Sequence, residues 1–143
     1  MLKSRRKTLK GWPVRVAAAL AVTAIAVAGT STPASAYAGD TWVYLRNSSG
    51  TKVASMQHVD DGDYFRTYDN LADGHGARGY LYSWTGYDYT LIMTSYNGKG
   101  AGTYTQMQYD VWSTNFYAMR VCSVDGSEDT SPGPCSDYKY FSE

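Results

Sequence analysis

From residue 37 onward the chain alternates between two kinds of segment. Short runs of β-branched and aromatic residues are separated by clusters of Gly, Asn, Asp and Pro. No apolar stripe at i, i+3, i+4, i+7 persists over the length that a helix needs, so the period is that of strands. This predicts eight: Thr41–Arg46, Lys52–Val59, Tyr64–Tyr68, Ala77–Trp84, Asp88–Ser95, Thr103–Val111, Asn115–Val124 and Asp137–Phe141. Between them lie Asn47-Ser48-Ser49-Gly50, Asp60-Asp61-Gly62, an Asp- and Gly-rich loop over 69–76, a Gly-rich connection over 96–102 and a long polar loop over 124–134. Seven to eight short strands at this spacing imply an all-β fold, a small antiparallel β-sandwich of immunoglobulin-like or jelly-roll-like type.

The first 36 residues are of another kind. Lys3, Arg5, Arg6, Lys7, Lys10 and Arg15 precede an apolar run, Val16–Ala28, which is followed by Pro33-Ala34-Ser35-Ala36. A basic head, a short apolar run and an Ala-x-Ala end read as a secretory signal peptide, removed between Ala36 and Tyr37. The run is shorter than the ~20 residues that span a bilayer, which disfavours a retained membrane anchor. Ser4-Arg5-Arg6-Lys7 nearly fits the twin-arginine pattern, with Thr8 where an aromatic is usual. Both that route and Sec stay open, with Sec favoured. The expected product is a secreted, extracellular single domain, 37–143.

Export changes the charge. The whole chain has 13 basic and 13 acidic residues. Six of the cations leave with the signal and no acid does, so 7 basic face 13 acidic residues and the mature net charge is −6. Such a surface repels polyanions, which argues against nucleic acid or an anionic membrane as partner. Cys122 and Cys135, both in the mature part, are expected to form a disulfide, because an even count in an exported chain reads as a covalent staple. The loop between them, with Asp125, Glu128, Asp129, Pro132 and Pro134, reads as solvated and mobile.

Chemistry-bearing residues are few. Asp60, Asp61 and Asp63 flank one turn; Asp69, Asn70 and Asp73 occupy the next loop. Each is a weak calcium candidate, but Asp and Asn before Gly more simply make Asx-turns, so no metal is expected. The two groups should sit at opposite ends of the third strand, too far apart to share one ion. His58 lies near the end of the second strand, and His75 beside Asp73 is the better catalytic candidate. No nucleophile elbow, zinc helix or phosphate loop is present, so no catalytic residue and no cofactor is expected. The tyrosines are the distinctive load: all 14 lie after residue 36. Tyr80, Tyr82 and Trp84 share one strand face by alternation, as do Tyr138 and Tyr140, and such residues suit packed outer faces, interfaces or sugar platforms.

The stretch Asp69-Asn70-Leu71-Ala72-Asp73-Gly74-His75-Gly76-Ala77-Arg78-Gly79-Tyr80-Leu81, with Arg120-Val121-Cys122 and Pro134-Cys135-Ser136, resembles small secreted actinobacterial proteins. These carry an Ala-Asp-Gly loop between two strands, then an Arg-containing strand and a late cysteine pair. In size, export signal and sandwich type the chain is also similar to the adaptor subunit of umbrella toxin particles. That resemblance implies a non-enzymatic adaptor joining a lectin subunit to a large toxin subunit, with an extended N-terminus, here Tyr37-Ala38-Gly39-Asp40, making one contact. The partners expected are therefore extracellular proteins. The alternative is a carbohydrate or cell-wall binding module using Tyr80, Tyr82 and Trp84; a hydrolase using Asp73 and His75 is a third possibility.

Overall fold

A computed structural model describes residues 39–143; the expected export signal and cleavage point, with Tyr37 and Ala38, lie outside the described residues. Eight strands form: β1 (Thr41–Arg46), β2 (Lys52–Val59), β3 (Tyr64–Asp69), β4 (Gly76–Trp84), β5 (Tyr89–Asn97), β6 (Tyr104–Gln108), β7 (Tyr117–Val124) and β8 (Lys139–Phe141). Among the described residues no helix is long and apolar enough to cross a membrane.

The turns follow their side-chain chemistry. Asn47 Oδ1 accepts the backbone N–H groups of Ser49 and Thr51, which folds β1 onto β2. Gly50, at φ +82°, supplies the left-handed residue that turn requires. Asp63, closing the β2–β3 turn, is the only non-glycine at positive φ among the described residues. Its carboxylate holds it there: Oδ2 accepts the Val111 N–H at 3.0 Å, and Oδ1 lies 3.3 Å from His58 Nε2.

The strands make two four-stranded antiparallel sheets, ordered β1-β2-β3-β6 and β5-β4-β7-β8. The chain crosses between sheets from β3 to β4, returns to lay β6 beside β3, and crosses again to lay β7 beside β4. In an immunoglobulin-type sandwich strands B and E pair in one sheet and C and F in the other, and the same adjacency holds here. β5 flanks β4 as a C′ strand would, and β8 flanks β7 as a G strand would. The staple differs: Cys122 in β7 bonds Cys135 just before β8, within one sheet rather than across the two.

Alternation places the core. Val43, Leu45, Ala54, Met56 and Phe65 from one sheet meet Ala77, Leu81, Tyr117, Met119 and Val121 from the other. His58 joins them, stacked at 4.7 Å on Phe65 and 4.9 Å on Phe141. The sheets approach closely at Gly79: a Cβ built there would stand 2.3 Å from Thr67 Oγ1 and 2.9 Å from Met56 Sδ. Asn97, fully buried at the end of β5, organises the connection to β6. Its amide donates to the Thr67 and Thr103 carbonyls, and its Oδ1 accepts from Lys99 N and the Thr103 hydroxyl.

The expected strands all form; the fifth runs on to Asn97, and the last three are shorter than expected. The sixth covers only Tyr104–Gln108, the seventh starts at Tyr117 and the eighth at Lys139. In the sixth case the chain leaves the sheet after Gln108 because the backbone N–H groups of Tyr109 and Val111 turn to Asp63, on its carbonyl and its carboxylate respectively. Asp69 is no loop residue. It ends β3, is buried, and accepts the Leu71 N–H on its side chain. Burial, opposed by that hydrogen bond and joined by nearby Asp73, raises its carboxyl above the ordinary range.

Candidate functional site

The outer face of the β5-β4-β7-β8 sheet is built from one cross-strand row and its neighbours. Tyr82 pairs with Ala118, and Ala118 with Tyr140. Tyr80 lies opposite Arg120 in the adjoining row. Tyr138 shares a strand face with Tyr140, so β8 brings two more rings alongside those of β4. The contacts run continuously: Trp84 to Tyr89 at 5.0 Å, Tyr89 to Tyr140 at 5.3 Å, Tyr140 to Tyr138 at 6.3 Å and Tyr138 to Tyr82 at 5.5 Å between ring centres. Arg120 lies over Tyr80 at 5.2 Å, Tyr138 at 5.0 Å and Tyr82 at 6.0 Å. Burial and the Tyr138 hydroxyl raise the Tyr82 phenol above its ordinary pKa, and the Arg120 guanidinium opposes this. Between Tyr82, Tyr89, Tyr138 and Tyr140, over Ala118 and beside Asp88, is a cavity of about 210 Å³.

Of the residues expected on this face, Tyr82 and Trp84 are half-buried, Tyr82 lining the cavity and Trp84 packing on Tyr89 beside it, whereas Tyr80 is only 9% exposed. Arg120 covers it, so Tyr80 supports the face rather than offering a platform. Sequence alternation grouped Tyr80, Tyr82 and Trp84, and separately Tyr138 and Tyr140. That the two groups form one surface depends on the β4–β7–β8 pairing, and Asp88 and Tyr89 join it through the β4–β5 turn.

The opposite sheet carries a second aromatic face. One outward row runs Tyr44, Ser55, Tyr68, Tyr104, and the next Trp42, Gln57, Arg66, Gln106. Trp42 stacks on Tyr44 at 5.8 Å and meets Tyr68 at 5.5 Å; Tyr68 meets Tyr104 at 5.2 Å. Lys52 lies 4.5 Å over Tyr44, and Arg66 5.3 Å over Tyr104. Cations on ring faces make each patch amphipathic, with apolar area and hydrogen-bonding tips together.

The N-terminal stretch is partly anchored. Asp40 accepts the Gln57 Nε2–H at 2.7 Å and the Asp60 N–H at 3.3 Å, and Gly39 precedes it. Asp40 is therefore held against β2 and the β2–β3 turn. The weak metal candidates each accept a hydrogen bond: Asp69 from Leu71 N, Asn70 from the Ser55 hydroxyl, and Asp73 from His75 N. The Asp69 and Asp73 bonds are side-chain turns of the kind that the sequence suggested, whereas Asn70 reaches across to β2. A different set does converge. His58, Asp63 and Glu143 have donor atoms within 4.8 Å of one another. Burial, then Asp63, Asp60 and Asp110, raises the Glu143 carboxyl. Sequence reading missed this group because its members come from two ends of the chain. Asp63 already bonds through both oxygens, so the trio is tied into the β2–β3 turn.

His75 does not pair its ring with Asp73, as its position in sequence suggested. Its Nδ1 lies 2.5 Å from Asp125 Oδ1, across to the β7–β8 loop, because the β4–β7 register puts Gly76 opposite Val124. The Asp125 hydrogen bond and charge raise the His75 pKa above the ordinary histidine value. A raised histidine pKa gives a contact that is fully present below the unfolded value and lost as pH rises through the folded one. NMR titration of His75 should give a midpoint above ~6.5, and Asp125→Asn should bring it down towards that value. A midpoint unmoved by the substitution would remove the pair.

The β7–β8 loop, expected to be mobile from its composition, is held from beneath. Arg78 donates to the carbonyls of Gly126, Ser127 and Asp129. The Asp129 carboxylate accepts the N–H groups of Asp125 and Ser131, which lowers its pKa. Comparison with protein-family models, curated proteins and solved structures finds no match to this chain.

Proposed function

We propose that this domain is a secreted, non-enzymatic adaptor that joins two extracellular protein partners, in the manner of the subunit that links a lectin to a large toxin chain. One observation carries the reading: the sandwich presents two separate aromatic and cationic faces, one on each sheet, around Tyr138 and Tyr140 and around Tyr44 and Tyr104. Tyr140 is 58% exposed and Tyr104 45%, so these rings are available on both sides. Tyrosine and arginine are the residues that dominate protein interfaces. Two opposed faces let one small domain hold two partners at once.

Tagged mature protein recovered from culture supernatant should carry two partners. Tyr138→Ala with Tyr140→Ala should release one and keep the other, and Tyr44→Ala with Tyr104→Ala should do the reverse. A strictly monomeric protein with nothing bound would sink the proposal. The carbohydrate reading draws on the same face through Tyr82 and Trp84, and a glycan array decides it. Sugar binding abolished by Trp84→Ala would favour that module, and a blank array would remove it.

A further inference from the structure

The cavity on the β5-β4-β7-β8 face has walls of one chemistry and a rim of another. Tyr82, Tyr89, Tyr138 and Tyr140 surround it, and Ala118 is its fully buried floor. The cavity exists because Ala118 stands in the row between Tyr82 and Tyr140, where a larger side chain would fill the space. At about 210 Å³ it exceeds several times the ~30 Å³ share of one water molecule.

Among the described residues that line it Asp88 is the charged one, and the Arg120 guanidinium stands outside it, over the Tyr82 and Tyr138 rings. Asp88 is exposed, in a turn held by hydrogen bonds. Its backbone N–H donates to the Thr85 hydroxyl, its carbonyl accepts from Thr85 N and Oγ1, and its Oδ1 accepts the Tyr89 N–H at 2.7 Å. Its Oδ2 has no hydrogen-bond partner among the described residues. Ring faces are electronegative and attract a cation within about 6 Å of their centres, more strongly once it is desolvated. A carboxylate at the mouth adds to the same sign of field. The protein itself shows this use one row away, where Arg120 lies over Tyr80, Tyr138 and Tyr82 with its Nε buried and without a hydrogen-bond partner. A guanidinium held in that way is balanced by ring faces.

We propose that the Tyr82–Tyr89–Tyr138–Tyr140 box is a docking pocket for a lysine side chain of a protein partner, with Asp88 receiving the ammonium. The four-carbon stem packs on the rings while the charged head stays at the mouth. Three ammonium N–H groups suit the Asp88 carboxylate and the tyrosine hydroxyls as acceptors. A quaternary ammonium has no N–H to offer them, and the domain's acidic surplus favours a basic partner surface. This assignment rests on the adaptor reading for the nature of the partner, but the pocket's chemistry is tested without any partner.

Nα-acetyl-lysine N-methylamide titrated into the mature protein should shift the NMR signals of Tyr82, Tyr89, Tyr138 and Tyr140. The norleucine counterpart, which has the same stem without the charge, should not. Asp88→Asn, at an exposed turn position, should weaken the lysine probe by about fivefold or more, and Tyr140→Ala should do so at least as much. Norleucine binding as well as lysine would overturn the proposal, as would tetramethylammonium binding more tightly than lysine, or Asp88→Asn and Tyr140→Ala leaving lysine binding unchanged. Partners that still co-purify after such a failure would leave the adaptor reading standing and the lysine pocket refuted.

Discussion

Gly79→Ala is expected to lower the melting temperature by roughly 5–20 °C, the shift that overpacking of about 1–3 kcal/mol gives in a domain of this size. The residue sits mid-strand in β4, between Tyr80 and Arg78, which both face outward. Its own inward position points at the other sheet, where Thr67 and Met56 are fully buried. An added methyl would meet Thr67 Oγ1 at 2.3 Å, a distance that no side-chain adjustment at residue 79 relieves. Met56 can shift its thioether, whereas Thr67 is branched at Cβ and held in the middle of β3. The Thr67 hydroxyl is moreover buried without a hydrogen-bond partner, so removing it leaves no orphaned group behind. Thr67→Ala should therefore recover part of the loss in the double variant, giving a non-additive cycle that two independent sites would not show. Urea or thermal unfolding of the four proteins measures this. A Gly79→Ala protein that melts with the parent would mean the sheets are further apart than described.

Loss of the Cys122–Cys135 bond should cost about 3 kcal/mol, the chain-entropy value for a loop of this length. The bond spans a sequence separation of 13, and its Cα atoms stand 4.0 Å apart. Unreduced mature protein should be two hydrogens lighter than the reduced chain by mass spectrometry, with no thiol available to alkylation. The local consequence is smaller than the global one. Around the bond, Ser123 N donates to Pro134 O, Gly133 N to Ser123 O and Ser136 N to Val121 O. Beneath the loop, Arg78 grips three carbonyls. A Cys122→Ser, Cys135→Ser variant should thus unfold at lower denaturant while the folded protein keeps loop 124–134 protected from protease. Adding Arg78→Gln should release it. Rapid cleavage of the loop in the cysteine variant alone would show that the disulfide, and not Arg78, holds it.

The strands were legible because each is an alternating run bounded by residues with a local reason to turn. Asn47 and Gly50, or Asp60 and Gly62, favour a turn by local chemistry, and period two alone puts Val43 with Leu45 on one face of their strand and Ala54 with Met56 on one face of theirs. The disulfide was read from two cysteines and an expected export signal. The pairing partners were not local. Alternation assigns Tyr82 and Tyr140 each to a face but is silent on which strand lies beside which. The aromatic box therefore arises only when β7 is inserted between β4 and β8 and contributes Ala118 as its floor. Long-range hydrogen bonds explain the other departures. His75 stands two residues from Asp73 in sequence yet pairs with Asp125, fifty residues on, because the β4–β7 register sets their loops side by side. Arg78 holds a loop that composition alone read as mobile, since its stem leaves β4 under carbonyls from the β7–β8 connection. Local rules determine a residue's conformation and face. The contacts that make a site are set by which strands the shared core forces together, and that choice is made by the burial of the whole chain at once.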